Sequence, residues 1–379
     1  MKKTKRRPSI SLFSGAFGLD LGLEKAGFSV KACVEKNAFC VQTILKNRPE
    51  LKGRVINKDI NRVSAHEILN IAGLKKGETF LVAGGPPCQP FSTAGRRESI
   101  SSKDGRLFRK FLKIVWDIYP KYFIFENVRG ILSAAIKHKP LELRNINEKQ
   151  LTSQEKLGSG WDFINNEFKK RLKQGLKGGY KFYIWQLNAA DYGVPQKRKR
   201  VFIVGTRVNK NIINPVGKYT KKPKSLRLAI GKLNGDNECA GVDYYHYDNL
   251  RYKIFKDKLI RAGENWTALP INIQKKVMGK GWFATGGKVG FCRRLSWDKP
   301  SPTITTRPYG RATNLCHPDK PRPLNYRECA MIQGFPKNWK FKGSLNQKYI
   351  QIGNAVPVGL GKVIGESIMN TIGSGKSEK

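Results

Sequence analysis

Acidic residues are scarce in this chain: 28 Asp and Glu stand against 72 Lys and Arg, a formal net charge of +44 over 379 residues. Such an excess repels itself unless a polyanion is at hand, which makes nucleic acid the leading partner over the plainer reading of a lysine-rich solvated surface. Histidine is rarer still, with four in all, and the seven cysteines (33, 40, 88, 239, 292, 316 and 329) include no CxxC pair. Too few ligands stand at metal-binding spacing for a structural zinc, so no metal is expected. Uncharged runs of about 18 residues are missing, and no apolar stretch of signal-peptide length follows the basic opening MKKTKRRP. A cytoplasmic protein with reduced thiols and no membrane contact is the expectation. The GxGxxG spacing of nicotinamide dinucleotide sites is lacking as well.

What is present is an alternation of strand-like and helix-like stretches. Ile10–Phe13, Val30–Glu35, Phe80–Ala83 and Tyr122–Phe125 read as buried strands. Leu19, Leu23 and Ala26 share one helical face, as do Phe111, Leu112, Val115 and Ile118. This rhythm predicts an α/β fold, a mostly parallel sheet with helices on both faces. Residues 140–160 are polar and aperiodic and read as an exposed insertion, after which Phe182–Leu187 and Val201–Gly205 are strand-like again. Beyond Val208 the rhythm fades, and Trp266, Trp282 and Phe283 interleave with basic residues. The predicted organisation is a catalytic and cofactor-binding domain over 1–207, a smaller lobe that reads nucleic acid over 208–345, and a segment over 346–379 that returns to the first domain. Val358–Ile372 reads as an amphipathic helix within that last segment.

The first predicted strand runs into Phe13-Ser14-Gly15-Ala16-Phe17-Gly18, small residues that let the backbone approach a ligand before a helix begins. Glu35 closes the next strand 20 residues after Gly15, where an acid in such folds accepts from ribose hydroxyls. Asp59 and Ile60 follow the third strand region and can hold an adenine amino group over an apolar wall. Each acid alone is as well read as a helix cap, but in this order they favour an adenosine-type cofactor.

The sharpest local feature is Gly84-Gly85-Pro86-Pro87-Cys88-Gln89-Pro90-Phe91-Ser92, directly after an apolar run. A thiol that merely fills a core does not need a rigid, glycine-preceded loop at the carboxyl end of a strand. Cys88 is therefore a candidate nucleophile, although no histidine stands beside it in sequence to help form the thiolate. Glu126 ends the next apolar run and, in a parallel sheet, emerges on the same edge as Cys88. In Gln196-Lys197-Arg198-Lys199-Arg200 an extended backbone puts Gln196, Arg198 and Arg200 on one face, where guanidiniums suit phosphate or a base oxygen.

Together these residues resemble the DNA (cytosine-5) methyltransferases over nearly the whole chain. The match runs through FSGAFG at 13–18, PPCQPFS at 86–92, ENV at 126–128 and QKRKR at 196–200. It continues through Arg294-Leu295-Ser296, Pro302-Thr303-Ile304-Thr305, Gln333-Gly334-Phe335-Pro336 and Gln351-Ile352-Gly353-Asn354-Ala355-Val356-Pro357. The sequence departs at Phe17, where the family commonly has glycine.

The resemblance implies S-adenosylmethionine as methyl donor, without a metal. It implies a cofactor site lined by Phe13, Ser14, Gly15, Gly18, Glu35, Asp59, Ile60 and Leu107, completed by Asn354 and Val356. It gives Cys88 the role of covalent nucleophile at carbon 6 of a flipped-out cytosine, Glu126 that of acid at ring nitrogen 3, and Arg198 with Arg200 the grip on the base oxygen or flanking phosphates. Double-stranded DNA is then the partner, read by a stretch near 235–290. The resemblance also implies a bacterial restriction-modification methylase, paired with a restriction endonuclease; a monomer is the expectation, since one copy suffices to flip one base. Two rival readings stay open on sequence alone: a methyltransferase for cytosine in tRNA, and a catalytically silent DNA-binding scaffold.

Overall fold

The computed structural model describes residues 6–87, 103–135, 152–234, 242–283 and 288–373. Seven strands form one sheet: β1 (Arg7–Leu12), β2 (Phe28–Val34), β3 (Val55–Ile56), β4 (Leu81–Gly84), β5 (Tyr122–Val128), β6 (Lys181–Asn188) and β7 (Lys199–Thr206). Their order is β3-β2-β1-β4-β5-β7-β6. The pairs among β1 to β5 are parallel, whereas β7 runs antiparallel to both β5 and β6. Eleven α-helices lie among the described residues: α1 (Gly18–Lys25), α2 (Ala38–Asn47), α3 (Ala65–Ala72), α4 (Lys103–Ile118), α5 (Ser159–Arg171), α6 (Leu226–Ile230), α7 (Asn249–Lys256), α8 (Ile271–Met278), α9 (Tyr326–Ile332), α10 (Leu345–Asn354) and α11 (Val358–Gly373). The mostly parallel, helix-flanked sheet expected from the alternating apolar runs is the architecture observed.

Because successive strand residues point to opposite faces, β5 divides its side chains between two cores. Phe123 and Phe125 face a cluster built with α3, α4 and α5 (Ile68, Phe108, Phe111, Val115, Ile164, Phe168), while Tyr122 and Ile124 face Leu19 and Leu23 of α1 and Leu360, Ile364 and Ile368 of α11. Burial on both faces is why these strands read in sequence as continuous apolar runs rather than alternating ones. Helix α5 begins at the edge of the stretch read as an insertion, a helix that the polar, aperiodic sequence there does not signal. The first part of that insertion, 140–151, lies outside the described residues.

Helices α1 and α11 approach backbone to backbone, and the sequence makes this possible with glycines one turn apart on each. A Cβ at Gly22 would stand 2.3 Å from Val358 O, and one at Gly361 would stand 2.7 Å from Leu19 O. The helix expected at Val358–Ile372 forms and seals the sheet's second face. A third cluster joins Phe17 and Leu21 to Leu226, Leu295, Ile304, Ile332 and Trp339. A fourth, smaller one holds Tyr247, Ile254, Phe255, Ile260, Leu269 and Val277, on α7, α8 and the chain around them.

Candidate active site

The strand order reverses between β1 and β4: from β1 the chain moves outward to β2 and β3, then returns to β4 on β1's other side. The crevice past the carboxyl ends of these two strands is the general ligand position in open α/β sheets. It is bordered by the turn 13–18 after β1 and by the loop that begins at Gly85 after β4. The strands close tightly here, since a Cβ at Gly84 would stand 2.7 Å from Leu12 O.

The turn after β1 is strongly bent. Phe13, Gly15 and Phe17 all have positive φ, at 56°, 52° and 74°. Glu35 straddles it: Oε2 accepts from Gly15 N at 2.7 Å and Oε1 from Asn37 N at 2.7 Å. Burial pushes the Glu35 carboxyl above the ordinary carboxylate range, while those amide donors pull the other way. Asp59 caps the short helical turn 60–62, accepting from Asn61 N at 3.0 Å, and pairs with Lys36 Nζ at 2.9 Å. The Asn61 amide, with Lys36, holds its carboxyl below the usual range. Ile60 is buried and Leu107 is half-buried on α4, both against the first core. At Gly18 a Cβ would meet Val356 O at 2.5 Å, so the segment after α10 lies directly on the start of α1. Asn354 ends α10 and is exposed; Val356 is buried. The turn, Glu35 and the returning 354–356 segment thus border one end of the crevice.

Phe17 resolves what its departure from glycine does. Its backbone adopts the left-handed conformation that glycine takes freely, and its ring is fully buried, stacked on Trp339 with centroids 6.4 Å apart. It packs into the third core, with Leu21 and Phe335.

At the other side of the crevice Glu126 stands inside β5 rather than beyond it, because β7 pairs with β5 as far as Val128. Its Oε1 lies 3.0 Å from Arg200 Nε, both side chains being 12% exposed. Burial pushes the Glu126 carboxyl above its ordinary range, against the pull of Arg200 and then Arg198. A Cβ at Gly85 would lie 2.6 Å from Glu126 Oε2, so any larger residue there would have to displace this carboxylate. Asn127, buried next door, reaches Pro86 O with its side-chain amide at 3.4 Å. Cys88, two residues after Pro86, lies outside the described residues.

Arg198 has a different place from the one expected. The in-out alternation of Gln196, Arg198 and Arg200 holds, but their shared face turns inward. Arg198 is 2% exposed, and its two terminal nitrogens donate to Ile304 O and Gly353 O at 2.8 Å each. A guanidinium committed to two buried carbonyls is a strut between the late motifs, whereas Arg200 pairs with Glu126. Gln196 extends this strut: Oε1 accepts from Ile304 N at 2.9 Å and Nε2 donates to Gln333 Oε1 at 3.0 Å. Gln333 in turn donates to Ile352 O at 2.7 Å. Gln196 and Gln333 stand in motifs whose sequence alone does not assign them this task. A buried amide pair carries no signal of its own until the fold brings the two together.

No helix among the described residues is long and apolar enough to cross a membrane, and those residues hold no cluster of three or more potential metal ligands.

The profile of the family described as C-5 cytosine-specific DNA methylase matches residues 8–370. A Type II methyltransferase from Staphylococcus aureus, M.Sau96I, is 36% identical over 375 residues, covering 98% of this chain and 77% of the relative. M.Eco47II of Escherichia coli, also a Type II methyltransferase, is 34% identical over 96% of this chain and 79% of its own length. Among solved structures, a putative DNA modification methyltransferase from an Escherichia coli prophage superposes with a TM-score of 0.63 at 22% identity, over 97% of this chain and all of its own. The fold is shared as well with the Spodoptera frugiperda DNMT2 mutant, at a TM-score of 0.60 and 18% identity, over 97% of this chain and 99% of that one. The chain belongs to the C-5 cytosine-specific DNA methylase family and is a DNA (cytosine-5-)-methyltransferase.

Proposed function

We propose that the chain methylates carbon 5 of a cytosine flipped out of a short, specific duplex DNA sequence, through a covalent adduct with Cys88. The observation that carries this reading is the Glu126–Arg200 pair at 3.0 Å, with Gly85 seated against the carboxylate three residues ahead of the only thiol in the PPCQPFS loop. Carbon 5 of cytosine is too weak a nucleophile to take a methyl group unaided, so electrons must be pushed into the ring. The Cys88 thiolate adds to carbon 6, and the ring electrons move toward carbon 5. Glu126, whose burial favours the protonated form, holds a proton at ring nitrogen 3 while Arg200 steadies the neighbouring oxygen. S-adenosylmethionine supplies an electrophilic methyl group when bound. After carbon 5 has been alkylated, its proton leaves to a base, the electron pair reforms the carbon 5–carbon 6 double bond, and Cys88 departs as thiolate.

The residues present fit that donor. Glu35 has lone pairs beyond those used by Gly15 N and Asn37 N, suited to ribose hydroxyls. Ile60 and Leu107 offer apolar surface beside Asp59, and Phe13, Ser14, Gly15 and Gly18, with Asn354 and Val356, close the far side. Base flipping costs roughly a few kcal/mol, which contacts to both strands repay. The net charge of +44 supports such contacts, and the lobe within 208–345, with its own small core, supports sequence reading by a separate surface. The 346–379 segment belongs with the 1–207 catalytic domain, as the packing of α11 on α1 supports. We further place the protein in the cytoplasm on DNA, as a monomer that protects host sites from a partner restriction endonuclease.

The test is incubation with labelled S-adenosylmethionine and either mixed-sequence duplex DNA or tRNA, followed by bisulfite sequencing. Methylcytosine confined to one short DNA motif is expected. Transfer to tRNA alone would overturn the DNA reading, and no transfer by donor-binding protein would favour a silent scaffold.

A further inference from the structure

Beneath the turn 13–18 lies a chain of polar groups of which the mechanism above uses only the outermost, Ser14. Asp20, in the first turn of α1, is 2% exposed, and its Oδ2 accepts from Ser11 Oγ of β1 at 2.8 Å. Ser11 Oγ accepts in turn from Ser14 Oγ at 2.8 Å. Ser11 is 2% and Ser14 8% exposed, and Ser14 N donates to Val34 O of β2 at 3.3 Å. The Ser14 hydroxyl also lies against the Cys33 thiol.

We propose that Asp20 is a positioning residue for the methyl-donor turn, acting through Ser11 and Ser14, and that gain or loss of one proton on its carboxyl changes the affinity of the turn for the donor. This rests on the reading of turn 13–18 as the donor site. An ionised carboxylate only accepts, so Ser11 must donate to it and Ser14 must donate to Ser11. Both hydroxyl hydrogens are then committed, Ser14 offers only lone pairs outward, and a negative charge sits under the turn. A protonated Asp20 can donate to Ser11 instead, which lets the chain run in reverse and frees the Ser14 hydrogen to point elsewhere. The donor carries a sulfonium and an ammonium, so the ionised arrangement is the one that attracts it.

Burial, set against the Ser11 hydrogen bond and reinforced by Glu24, brings the Asp20 carboxyl up to about 7, where such a switch operates near neutrality. The other charged groups around it are accounted for. Glu24 on α1 is paired with Arg48 at 2.7 Å. On β2, Cys33 is pushed far up by burial and stays a neutral thiol, and Glu35 at the strand's end accepts from Gly15 N. On α11, Lys362 pairs with Glu366 at 3.4 Å. On β1, Arg7 lies over the Phe80 ring.

The experiment is calorimetric titration of S-adenosylmethionine into the full chain between pH 5.5 and 8.5, with wild type, Asp20→Asn and Ser11→Ala, each checked for cooperative thermal unfolding. Wild-type affinity should rise several-fold as pH increases through about 7. Asp20→Asn should lose that step. Because the Ser11 hydrogen bond lowers the Asp20 value, Ser11→Ala should move the step to higher pH, a displacement that mere loosening of the turn does not produce. Superimposable profiles for wild type and Asp20→Asn would overturn the inference while leaving the donor site standing. Failure of wild type to bind the donor at any pH would overturn both.

Discussion

Glu126 and Arg200 meet diagonally across two antiparallel strands. Glu126 faces Phe202 in the ladder and Arg200 faces Val128, yet Arg200 Nε reaches Glu126 Oε1 at 3.0 Å. Residues displaced by two in such a ladder share a face, so the pair follows from register alone once β7 is set against β5. It places a guanidinium beside the carboxyl against which Gly85, just ahead of the PPCQPFS motif, is seated.

Arg200→Ala should lower kcat/KM by about 10²-fold, the usual loss for removing one charge-stabilising donor. It should also reshape the pH profile. Arg200 holds the Glu126 carboxyl down, so its removal lets burial push that carboxyl higher still, and activity that needs the protonated form persists to higher pH. A pH–rate profile with an unmoved alkaline limb would separate Arg200 from Glu126.

Arg198→Ala should act on the fold. It removes two hydrogen bonds to buried carbonyls, each worth about 1.5 kcal/mol or more when the donor is charged, and leaves both acceptors unmet. A loss of about 3 kcal/mol in urea unfolding is expected. A variant that unfolds like wild type but binds DNA weakly would return Arg198 to the phosphate-gripping role.

Phe17→Gly pits two effects against each other. Glycine relieves a left-handed residue at φ 74°, a gain of about 1–2 kcal/mol, but deletes a fully buried ring whose loss costs about 3–5 kcal/mol. The cavity should win, leaving the variant about 2 kcal/mol less stable. Equal or higher stability in denaturant unfolding would show that strain dominates.

These substitutions mark where the sequence was readable and where it was not. Runs such as Phe80–Ala83 and Tyr122–Phe125 announced themselves because both faces of their strands are covered. The order of Glu35 and Asp59 after the first turn was legible because the crossover connections of such a sheet are short and regular. The last turn of β5 was not, since Glu126, Asn127 and Val128 are held in the strand by β7, some 70 residues later in the chain. Nor was the direction of the QKRKR face: alternation reveals which residues share a side, but only the late motifs, docking through Ile304 and Gly353, decide that the side faces inward. By position alone Asp20 is an acid in the first turn of α1, favourable to a helix dipole. What changes its meaning is the covering of α1 by α11, which no local pattern records.

His317 predicts an acid sensitivity. It is buried, its Nδ1 accepts from the amides of Asp319 and Lys320 at 3.1 and 3.2 Å, and burial, with Arg322, lowers its value to about 3. In the unfolded chain it titrates near 6.5, so between these values the unfolded state binds the extra proton and folding weakens as pH falls. From pH 7 to 5 this costs about 2 kcal/mol. His317→Asn, whose Oδ1 can accept in place of Nδ1, should be less acid-sensitive than wild type by that amount. Parallel stability curves for the two would show that His317 is not buried neutral.

The central claim is that Cys88 attacks cytosine carbon 6, and release of tritium from duplex DNA labelled at cytosine carbon 5 reads it most directly, comparing wild type with Cys88→Ser in the presence of S-adenosylmethionine. A serine hydroxyl is a far weaker nucleophile than a thiolate at neutral pH, so the variant should release no tritium while still binding DNA. Tritium release by Cys88→Ser at a rate near that of wild type would contradict the covalent mechanism.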